Sequence, residues 1–277
     1  MPLPDLLIEP IIRAALAEDL GRAGDITAQA VIPPDARFTA DFRAREAGVV
    51  AGIDCARLAM TLMGARFDIR LPDASRVAPG DVIARVDGPA AAVLAGERVA
   101  LNLLCHLSGI ASLTARYVAL VAGTGARIVE TRKTMPLLRG LQKHAVVCGG
   151  GVNHRFGLDD AILIKDNHIA ICGGVSQALE RARAHAGHLV KIEVEVDSLA
   201  QLHEALPFKP DVILLDNFSL DDLRQAVAVA KGQAVLEASG GVNLTTVKAI
   251  AETGVDVISI GGLTHSAPNF DIGLDAV

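Results

Sequence analysis

The sequence has little of the residue types that often point directly to a function. Only 3% of its 277 residues are aromatic, and none is tryptophan. Its four cysteines (Cys55, Cys105, Cys148 and Cys172) show no Cys-x-x-Cys spacing, which argues against a disulfide framework or a zinc finger and favours a reducing compartment. No glycine cluster fits the pattern GxGxxG or the P-loop pattern, so neither a Rossmann cofactor nor a Walker loop is expected.

Charge and hydrophobic runs exclude further classes. The formal net charge of −6 argues against general binding to nucleic acid or to anionic membranes. No uninterrupted apolar run reaches about 18 residues, so no membrane span is expected. The N-terminal segment lacks a basic region and is broken by Pro4 and Pro10, so it does not resemble a signal peptide. We therefore expect a cytoplasmic protein.

The first hundred residues predict a small open α+β domain. A first helix with apolar residues at helical spacing should end at Gly21. The segment 36–45, ARFTADFRAR, alternates strictly, so it predicts a strand with Phe42 on the dry face and Asp41 on the wet face. A second alternating segment, 66–71, a helix over 54–63 between them, and a turn followed by a strand over 77–86 complete this layer.

The rest of the chain predicts a parallel α/β domain. Residues 90–122 are typical of two consecutive helices interrupted near Ser108 and Gly109. Six short apolar strands follow, with helical stretches between the later ones: 126–130, 161–165, 190–196, 211–216, 234–239 and 255–260. Such alternation indicates parallel strands joined by right-handed crossovers. We place the small domain at 1–108 and the catalytic domain at 109–266, with the tail 267–277 as a candidate to return to the first domain.

Two architectures fit this alternation, a doubly wound sheet and a barrel. All six predicted strands end in residues that can bind a ligand or take part in a reaction. Only a barrel brings all its strand ends to one mouth. We therefore predict an incomplete parallel α/β barrel with its active site at that mouth. In the strand KIEVEVD, Glu193 and Glu195 face inward; we expect Glu193 to form a structural ion pair with Lys165, and Glu195 to bind a ligand.

A concentrated group of cations stands out in this acidic protein. Residues 130–155, together with Arg127, hold six lysine or arginine residues and one acidic residue. Arginine offers a planar fork to a carboxylate and lysine a point charge to a phosphate. The members taken together to form an anion site are Arg132, Lys133, Arg139, His154, Arg155 and Lys165. Arg139 and Lys143, considered singly, are more typical of a solvated loop.

Glycine clusters and carboxylates complete the candidate site. Close backbone approach to an oxyanion is allowed at 149–151, at Ser239-Gly240-Gly241 and at Gly261-Gly262. Glu195 and Asp216 end adjacent strands and suit Mg²⁺ or sugar hydroxyls. We expect Cys148 to be a buried thiol without a paired base and His168 to be structural, and we leave His265 open. Together these features indicate a site for a phosphorylated sugar and an acidic co-substrate.

Ten segments in order resemble quinolinate phosphoribosyltransferases, the decarboxylating enzymes of NAD biosynthesis. They are EDLGRAGDIT (18–27), REAGVVAG (45–52), ERVALNLLCHLSGIA (97–111), TRKT (131–134), CGGGVNHRFGL (148–158), ILIKDNHI (162–169), KIEVEVDSL (191–199), LLDNF (214–218), ASGGV (238–242) and SIGGLTHS (259–266). Motifs of this length and number are specific, and they extend through nearly the whole chain.

The resemblance implies transfer of phosphoribosyl from phosphoribosyl pyrophosphate to quinolinate, and it implies roles for individual residues. It places Arg98, Arg132, His154, Arg155 and Lys165 at quinolinate. It places Thr131, Lys133, Glu195, Asp216, Ser239, Gly240, Gly241, Ile260, Gly261, Gly262 and His265 at phosphoribosyl pyrophosphate and its Mg²⁺. Of these, Lys133, Lys165, Glu195 and Asp216 would be catalytic. It also implies a homodimer, or a hexamer of dimers, in which Arg98 reaches the neighbouring subunit's site.

Two alternatives remain at this point. A related ModD-like branch acts on a different acceptor, but the intact NHR and KDNH motifs favour the quinolinate enzyme. A non-catalytic sensor of phosphate ligands would not need the paired Glu195 and Asp216. The sequence also departs from the family where TRKT is usually followed by Thr-Pro-Gly, since Met135-Pro136-Leu137 stands there. We expect the loss of that glycine to affect the loop after Lys133 and the placement of Arg139.

Overall fold

The fold is mixed α/β, and the computed structural model describes residues 3–277. The helices are α1 Asp5–Leu20, α2 Ile26–Val31, α3 Ile53–Leu62, α4 Ala90–Leu120, α5 Arg139–Cys148, α6 Asp166–Cys172, α7 Val175–His185, α8 Leu199–Ala205, α9 Leu220–Ala230, α10 Val247–Ala251 and α11 Gly262–His265. The strands are β1 Arg37–Ala44, β2 Gly48–Val49, β3 Arg66–Ile69, β4 Arg76–Val77, β5 Val82–Pro89, β6 Arg127–Val129, β7 Ile162–Ile164, β8 Ile192–Val196, β9 Val212–Asp216, β10 Val235–Ser239, β11 Val257–Ser259 and β12 Ile272–Ala276.

The chain forms two compact units, which differ from the predicted linear domains in their boundaries. The first unit holds residues up to Ala115, residues 135–150 and residues from Ser266 onward. The second holds residues 116–134 and 151–265. The predicted domain boundary between residues 108 and 109 stays a prediction. The two units are defined by their internal contacts, and such contacts do not show which segments fold independently. Strand β12, in the C-terminal tail, pairs antiparallel with β1 in the first unit.

The first unit is built on a four-stranded antiparallel sheet in the order β12-β1-β5-β3. Phe42 lies on its buried face, as the alternation in the sequence predicts. The prediction that Asp41 faces water is wrong, because this side chain is fully buried. Arg85 donates to it at 2.7 and 3.1 Å and Arg43 at 2.7 Å, and the hydrogen bond from Arg85 contributes most to a lowered pKa of Asp41.

A single helix, α4, replaces the two helices that the sequence predicts, and Ser108 and Gly109 lie inside it without interrupting it. Both residues serve close packing. The Ser108 hydroxyl is buried and accepts a hydrogen bond from the Ala51 N–H at 3.0 Å. A Cβ on Gly109 would lie 2.0 Å from the carbonyl oxygen of Pro268, so only glycine fits there. A Ser-Gly pair therefore marks a contact here and not a helix end.

Helix α4 is also long and apolar enough, by length and composition, to cross a membrane. Within its 18-residue window of highest hydropathy, 44% of the residues are buried inside the protein. Apolar residues buried along it include Leu101, Leu104 and Ile110. The core helix of a globular protein meets the same criteria of length and composition, so these two properties do not establish a membrane span.

The second unit is built on a six-stranded parallel sheet in the order β6-β11-β10-β9-β8-β7, as the strand–helix alternation predicts. Over residues 3–277, no ladder joins the outer strands β6 and β7, so the sheet is not a closed barrel. Its middle strands are almost fully buried, for example Val194, Ile213 and Leu236. Strands buried on both faces are typical of a parallel sheet covered by helices.

Candidate active site

A cavity of about 400 Å³ lies at the carboxyl ends of the six parallel strands. Its walls are formed by Thr131, Arg132, Lys133, His154, Arg155, Leu163, Lys165, Glu195, Leu214, Asp216, Glu237, Ser239 and Ser259. Residues that follow the two outer strands, such as Arg132 after β6 and Lys165 after β7, line the same space as Asp216 on the central strand β9. The sheet must therefore curve strongly, and it gathers its strand ends as an incomplete barrel does.

Two arginines, Arg132 and Arg155, line the cavity close to each other. Arg132 and Arg155 are half-buried, and among the residues described here neither Nε atom has a hydrogen-bond partner. Arg155 donates from Nη1 to the carbonyl oxygen of Ala161 at 2.9 Å, which fixes the direction of its side chain. Burial, and next the nearby charge of Arg132, lower the pKa of Arg155. Two like charges held together with unused donors are suited to a dianion.

Lys165 and Glu195 form an ion pair at the cavity wall, with Nζ 3.0 Å from Oε2. The predicted structural pairing of Lys165 with Glu193 is wrong, because the side chains of Glu193 and Glu195 lie at different depths of the same face of β8. Glu195 is nearer the strand end and reaches the lysine, whereas Glu193 lies deeper and faces His154, with Oε2 3.2 Å from Nε2.

A layer of buried carboxylates lies beneath the cations. Glu193, Glu237 and Glu130 are 6%, 3% and 0% exposed, so water screens their charges little. His154 Nε2 is 3.2 Å from Glu193 and 3.6 Å from Glu237, and its backbone N–H donates to Glu130 at 3.1 Å. Burial, and next the charge of Glu193, raise the pKa of Glu237 to about 7. Glu237 is therefore partly protonated near neutral pH, although it is a carboxyl.

Two hydrogen bonds fix the backbone of Lys133, which follows strand β6. Its backbone N–H donates to the Thr131 hydroxyl at 3.1 Å, and its carbonyl oxygen accepts from Thr264 Oγ1 at 2.8 Å. A Cβ on Gly261 would lie 3.1 Å from the Lys133 side chain and 3.2 Å from the His265 ring, so these three predicted site residues are neighbours. The backbone N–H of Ile260 donates to Val129 of β6 at 2.9 Å, whereas Gly262, the first residue of α11, has open space at its Cβ position.

The acidic side of the cavity comes from β9 and β10. Asp216 ends β9 and accepts from the Asn217 side chain at 2.8 Å, and Ser239 lies opposite it in the parallel register. Gly240 and Gly241 follow with φ of +91° and +62°, a left-handed turn that glycine adopts at least cost. A Cβ on Gly240 would approach Asn217 Oδ1 to 2.1 Å, so the glycine also allows the two loops to touch.

Several residues that the sequence singles out belong to the first unit. Arg98 is on α4 in the first unit, where it pairs with Glu97 at 2.8 Å. Gly149 serves packing, since a Cβ there would lie 2.3 Å from the carbonyl oxygen of Ala111. The solvated placement predicted for Lys143 is wrong: it is 2% exposed, because α5 is enclosed on most of its surface.

The predictions for His168 and Cys148 have different outcomes. The structural role predicted for His168 is confirmed, because its Nδ1 accepts the Lys165 N–H at 2.9 Å at the start of α6. The prediction for Cys148 is wrong, because its thiol is half-buried and Sγ lies 3.4 Å from His144 Nε2. Four residues apart on one helix, the two side chains share a face of α5, and this spacing could have revealed the pair.

Sequence reasoning missed Glu237 and Ser259 as cavity residues. Glu237 precedes Ser239 by two positions in one strand, so both side chains project to the same face. That relation, the same one that links Glu193 to Glu195, was available in the segment AVLEAS. Ser259 carried no such signal, because a single serine in an apolar strand is common.

Comparisons with known proteins identify the family of this chain. The family models described as the N- and C-terminal domains of quinolinate phosphoribosyl transferase match residues 25–108 and 110–275. The chain is 47% identical over 271 residues to the nicotinate-nucleotide pyrophosphorylase (carboxylating) of Mycobacterium leprae, with 95% of each chain covered. It is 39% identical to the quinolinate phosphoribosyltransferase (decarboxylating) 1b of Nicotiana tabacum, covering 98% of this chain and 83% of that one.

Solved structures show the same relation. The crystal structure of nicotinate-nucleotide pyrophosphorylase from Ehrlichia chaffeensis has a TM-score of 0.94 and 40% identity, with 100% of both chains covered. The corresponding enzyme from Francisella tularensis has a TM-score of 0.95 and 37% identity, covering 100% of this chain and 98% of that one. The chain therefore belongs to the quinolinate phosphoribosyl transferase family.

Proposed function

We propose that the protein transfers the phosphoribosyl group of phosphoribosyl pyrophosphate to quinolinate and releases CO₂, which gives nicotinate mononucleotide and diphosphate for NAD biosynthesis. The observation that carries this proposal is the set of charges that line one cavity. Arg132, Arg155 and Lys165 line it together with Glu195 and Asp216. An acidic ring and an activated sugar phosphate are the two reactants that such a mixture of cations and carboxylates accommodates side by side.

Quinolinate carries two adjacent carboxylates, and we assign them to the arginine side. The unpartnered Nε atoms of Arg132 and Arg155 are available to a planar carboxylate. We also assign His154 to this side, because its Nδ1 accepts the backbone N–H of Arg155 at 2.7 Å and its Nε2 lies 3.2 Å from Glu193, which fixes the chain beside Arg155. Lys165 reaches the cavity from β7 and leaves Glu195 when a substrate carboxylate competes for it. Arg98 would complete this set from a neighbouring subunit.

We assign phosphoribosyl pyrophosphate to the remaining residues of the cavity wall. Asp216 and Ser239 sit at the ends of adjacent strands, within reach of ribose hydroxyls. We assign the phosphates to Lys133, Thr131 and the turn backbones, because lysine suits phosphate as a point charge. The turn residues in this assignment are Gly240, Gly241, Ile260, Gly261, Gly262 and His265.

Mg²⁺ fits this site as part of the sugar diphosphate. Glu195 and Asp216 supply hard oxygen ligands at the cavity wall. Within the described residues they do not belong to a group of three converging ligand atoms, so the protein offers an incomplete shell. Mg²⁺ commonly binds through one or two carboxylates, with substrate phosphates and water completing the shell. When bound, it would neutralise charge on the departing diphosphate.

The chemistry needs positioning and charge compensation from the chain's own residues. The bond from ribose C1 to diphosphate breaks, and Glu195 and Asp216 stabilise the positive charge that develops on the ribose. The pyridine nitrogen donates its electron pair to C1 and becomes quaternary. The C2–carboxylate bond then breaks, its electron pair stays on C2, and C2 takes up a proton. No covalent enzyme intermediate is required, since holding both reactants in line supplies much of the acceleration.

Assay of the purified protein tests this function. With quinolinate, phosphoribosyl pyrophosphate and Mg²⁺, we expect equal amounts of nicotinate mononucleotide, diphosphate and CO₂. Nicotinate in place of quinolinate is the control acceptor, since it lacks the carboxylate at C2 and leaves one arginine unpaired. Turnover of another acceptor in preference to quinolinate would contradict the proposal, as would binding of the sugar phosphate with no turnover.

We also propose that the active unit is a homodimer that shares its sites and works in the cytoplasm, where charged phosphorylated metabolites are retained. The family resemblance of the segment 97–111, which implies that Arg98 reaches the neighbouring subunit's site, supports this proposal.

Mixing inactive variants tests the shared site. Arg98→Ala and Lys133→Ala subunits should each be nearly inactive, and their mixture should regain about a quarter of wild-type activity, because half of the mixed dimers' sites are intact. Mixing Arg98→Ala with Arg98→Ala under the same conditions is the control. If the mixture stays as inactive as its components, Arg98 does not act across subunits.

A further inference from the structure

Three side chains with metal-binding atoms converge in the first unit, apart from the residues of the substrate cavity. His144 Nε2 lies 2.7 Å from Asp73 Oδ2 and 3.4 Å from Cys148 Sγ, and all three ligand atoms lie within 4.8 Å of one another. From this convergence we propose a binding site for a zinc-class divalent cation, held by Asp73, His144 and Cys148. The proposal is independent of the transferase function, whose mechanism uses none of these residues.

The three side chains are fixed by the elements that carry them. His144 and Cys148 are four residues apart on α5, so they project from one face of a rigid helix. Asp73 follows β3, and its Oδ1 accepts the backbone N–H of Ile53 at 2.9 Å, at the first residue of α3. That hydrogen bond orients the carboxylate so that Oδ2 points to the imidazole. A ligand held by a second hydrogen bond is characteristic of built metal sites.

The distances suit zinc better than a hydrogen-bonded triad. In a triad the two imidazole nitrogens serve different partners, whereas here Nε2 faces both the carboxylate and the thiol. Its single proton can be directed at only one of them. A tetrahedral zinc ion, with bonds of about 2.0–2.3 Å, separates its ligand atoms by about 3.3–3.7 Å. The nitrogen–sulfur distance already fits, and the nitrogen–oxygen distance must open by about half an ångström.

A cavity of about 290 Å³ adjoins the three ligands and leaves room for a fourth. Its walls are completed by Ile53, Asp54, Ile69, Pro72, Ala74 and Val147. The walls are mostly apolar, and the ligand side chains themselves are little exposed, at 11% for His144 and 16% for Asp73. Three protein ligands with an open position are the arrangement that binds zinc together with water or a small ligand.

Cobalt and zinc titrations of the metal-free full-length protein test the site. We expect one equivalent of Co²⁺ to produce the near-ultraviolet absorption of a thiolate–cobalt bond, and Zn²⁺ to displace it. Cys148→Ser should abolish that band, and His144→Ala should weaken Zn²⁺ binding by more than about tenfold in competition with a chromophoric chelator. Cys172→Ser, which alters another half-buried cysteine, is the matched control and should leave the band unchanged.

Asp73→Asn provides a variant that keeps the fold. Its amide oxygen can still accept the Ile53 N–H, while the amide NH₂ replaces the ligand oxygen, so the α3 contact stays and Zn²⁺ affinity should fall by more than about tenfold. Circular dichroism establishes that each variant is folded. Co²⁺ binding without the thiolate band would overturn the proposal, because His154, Glu193 and Glu237, the other convergent group in residues 3–277, contains no thiol. Unchanged affinity in folded Cys148→Ser would overturn it as well.

Discussion

Replacing Arg132 with methionine is expected to lower kcat/KM for quinolinate by about two to three orders of magnitude, since truncating one partner of a buried charged contact costs about 3–4 kcal/mol. Arg132 keeps an unpartnered Nε atom at the cavity wall, and its charge acts on Arg155. The substrate carboxylate that Arg132 binds would lose a planar pair of donors. The effect should appear mainly in quinolinate binding, with the KM for phosphoribosyl pyrophosphate little changed.

The same substitution should stabilise the ligand-free protein. Removing Arg132 relieves repulsion of Arg155 and removes a buried donor without a partner, a gain of about 1 kcal/mol in the free energy of unfolding. Steady-state kinetics and urea unfolding measure the two effects. Arg132→Lys separates charge from geometry, because lysine keeps the charge and loses the fork, so its kinetic loss should be intermediate.

Arg127→Met is the matched control for this substitution. Arg127 begins β6, the same strand after which Arg132 lies, but its side chain is exposed and outside the cavity. Both changes remove one positive charge, so a general electrostatic effect on a dianionic substrate would appear in both. We expect the control to stay within about twofold of wild type, because exposed charges are well screened. An equal loss in the two variants would contradict the assignment of Arg132 to the substrate.

The strand ends could be predicted because parallel strands oblige their carboxyl ends to meet. Arg132, Lys165 and Asp216 were found from their positions after apolar segments, and the structure brings all three to one cavity. The depth of each residue within the strands was harder to predict. Glu193 and Glu195 share a face, and only the three-dimensional register decides which one reaches Lys165 and which one reaches His154.

Packing that depends on distant segments escaped sequence reasoning altogether. Ser108 and Gly109 read as a helix break, because their partners Ala51 and Pro268 are far away along the chain. Leu137 is a different case. It stands where the family usually has glycine, and it adopts φ of +67° while its side chain is 91% exposed. The local backbone therefore has a glycine-like conformation, at a cost of about 1 kcal/mol for a leucine.

Replacing Glu237 with glutamine is expected to stabilise the protein increasingly as the pH rises. The folded-state pKa of Glu237 is raised to about 7 from an ordinary value of 4.5. A carboxyl with a raised pKa contributes its full stability below pH 4.5, and this contribution is lost as the pH rises through 7, because the buried charge must then form. Glutamine stays neutral, so the variant avoids this loss.

The difference in unfolding free energy between Glu237→Gln and wild type should grow from near zero at pH 4.5 to on the order of 3 kcal/mol at pH 8.5. Thermal and urea unfolding at both pH values measure it. Glu180→Gln, at an exposed position on α7, is the matched control and should change stability little at either pH. A constant difference across the pH range would contradict the prediction, because it would mean that Glu237 is equally charged at both pH values.

The buried glutamates lower the stability of the protein as the pH rises, but they also adjust the charge beneath the cations that bind the substrate. The charges of Arg132 and Arg155 repel each other, and the charge of Glu193 offsets part of this repulsion at Arg155. A second negative charge on Glu237 would compete with the substrate for the same cations. Burial raises the pKa of Glu237 to about 7, so this second charge forms only around neutral pH. Glu237→Gln removes the negative charge that Glu237 acquires as the pH rises. Quinolinate binding should therefore lose the pH dependence that Glu237 confers around pH 7. If the pH profile of the quinolinate KM is identical in variant and wild type, the carboxylate pair does not set the charge beneath the substrate.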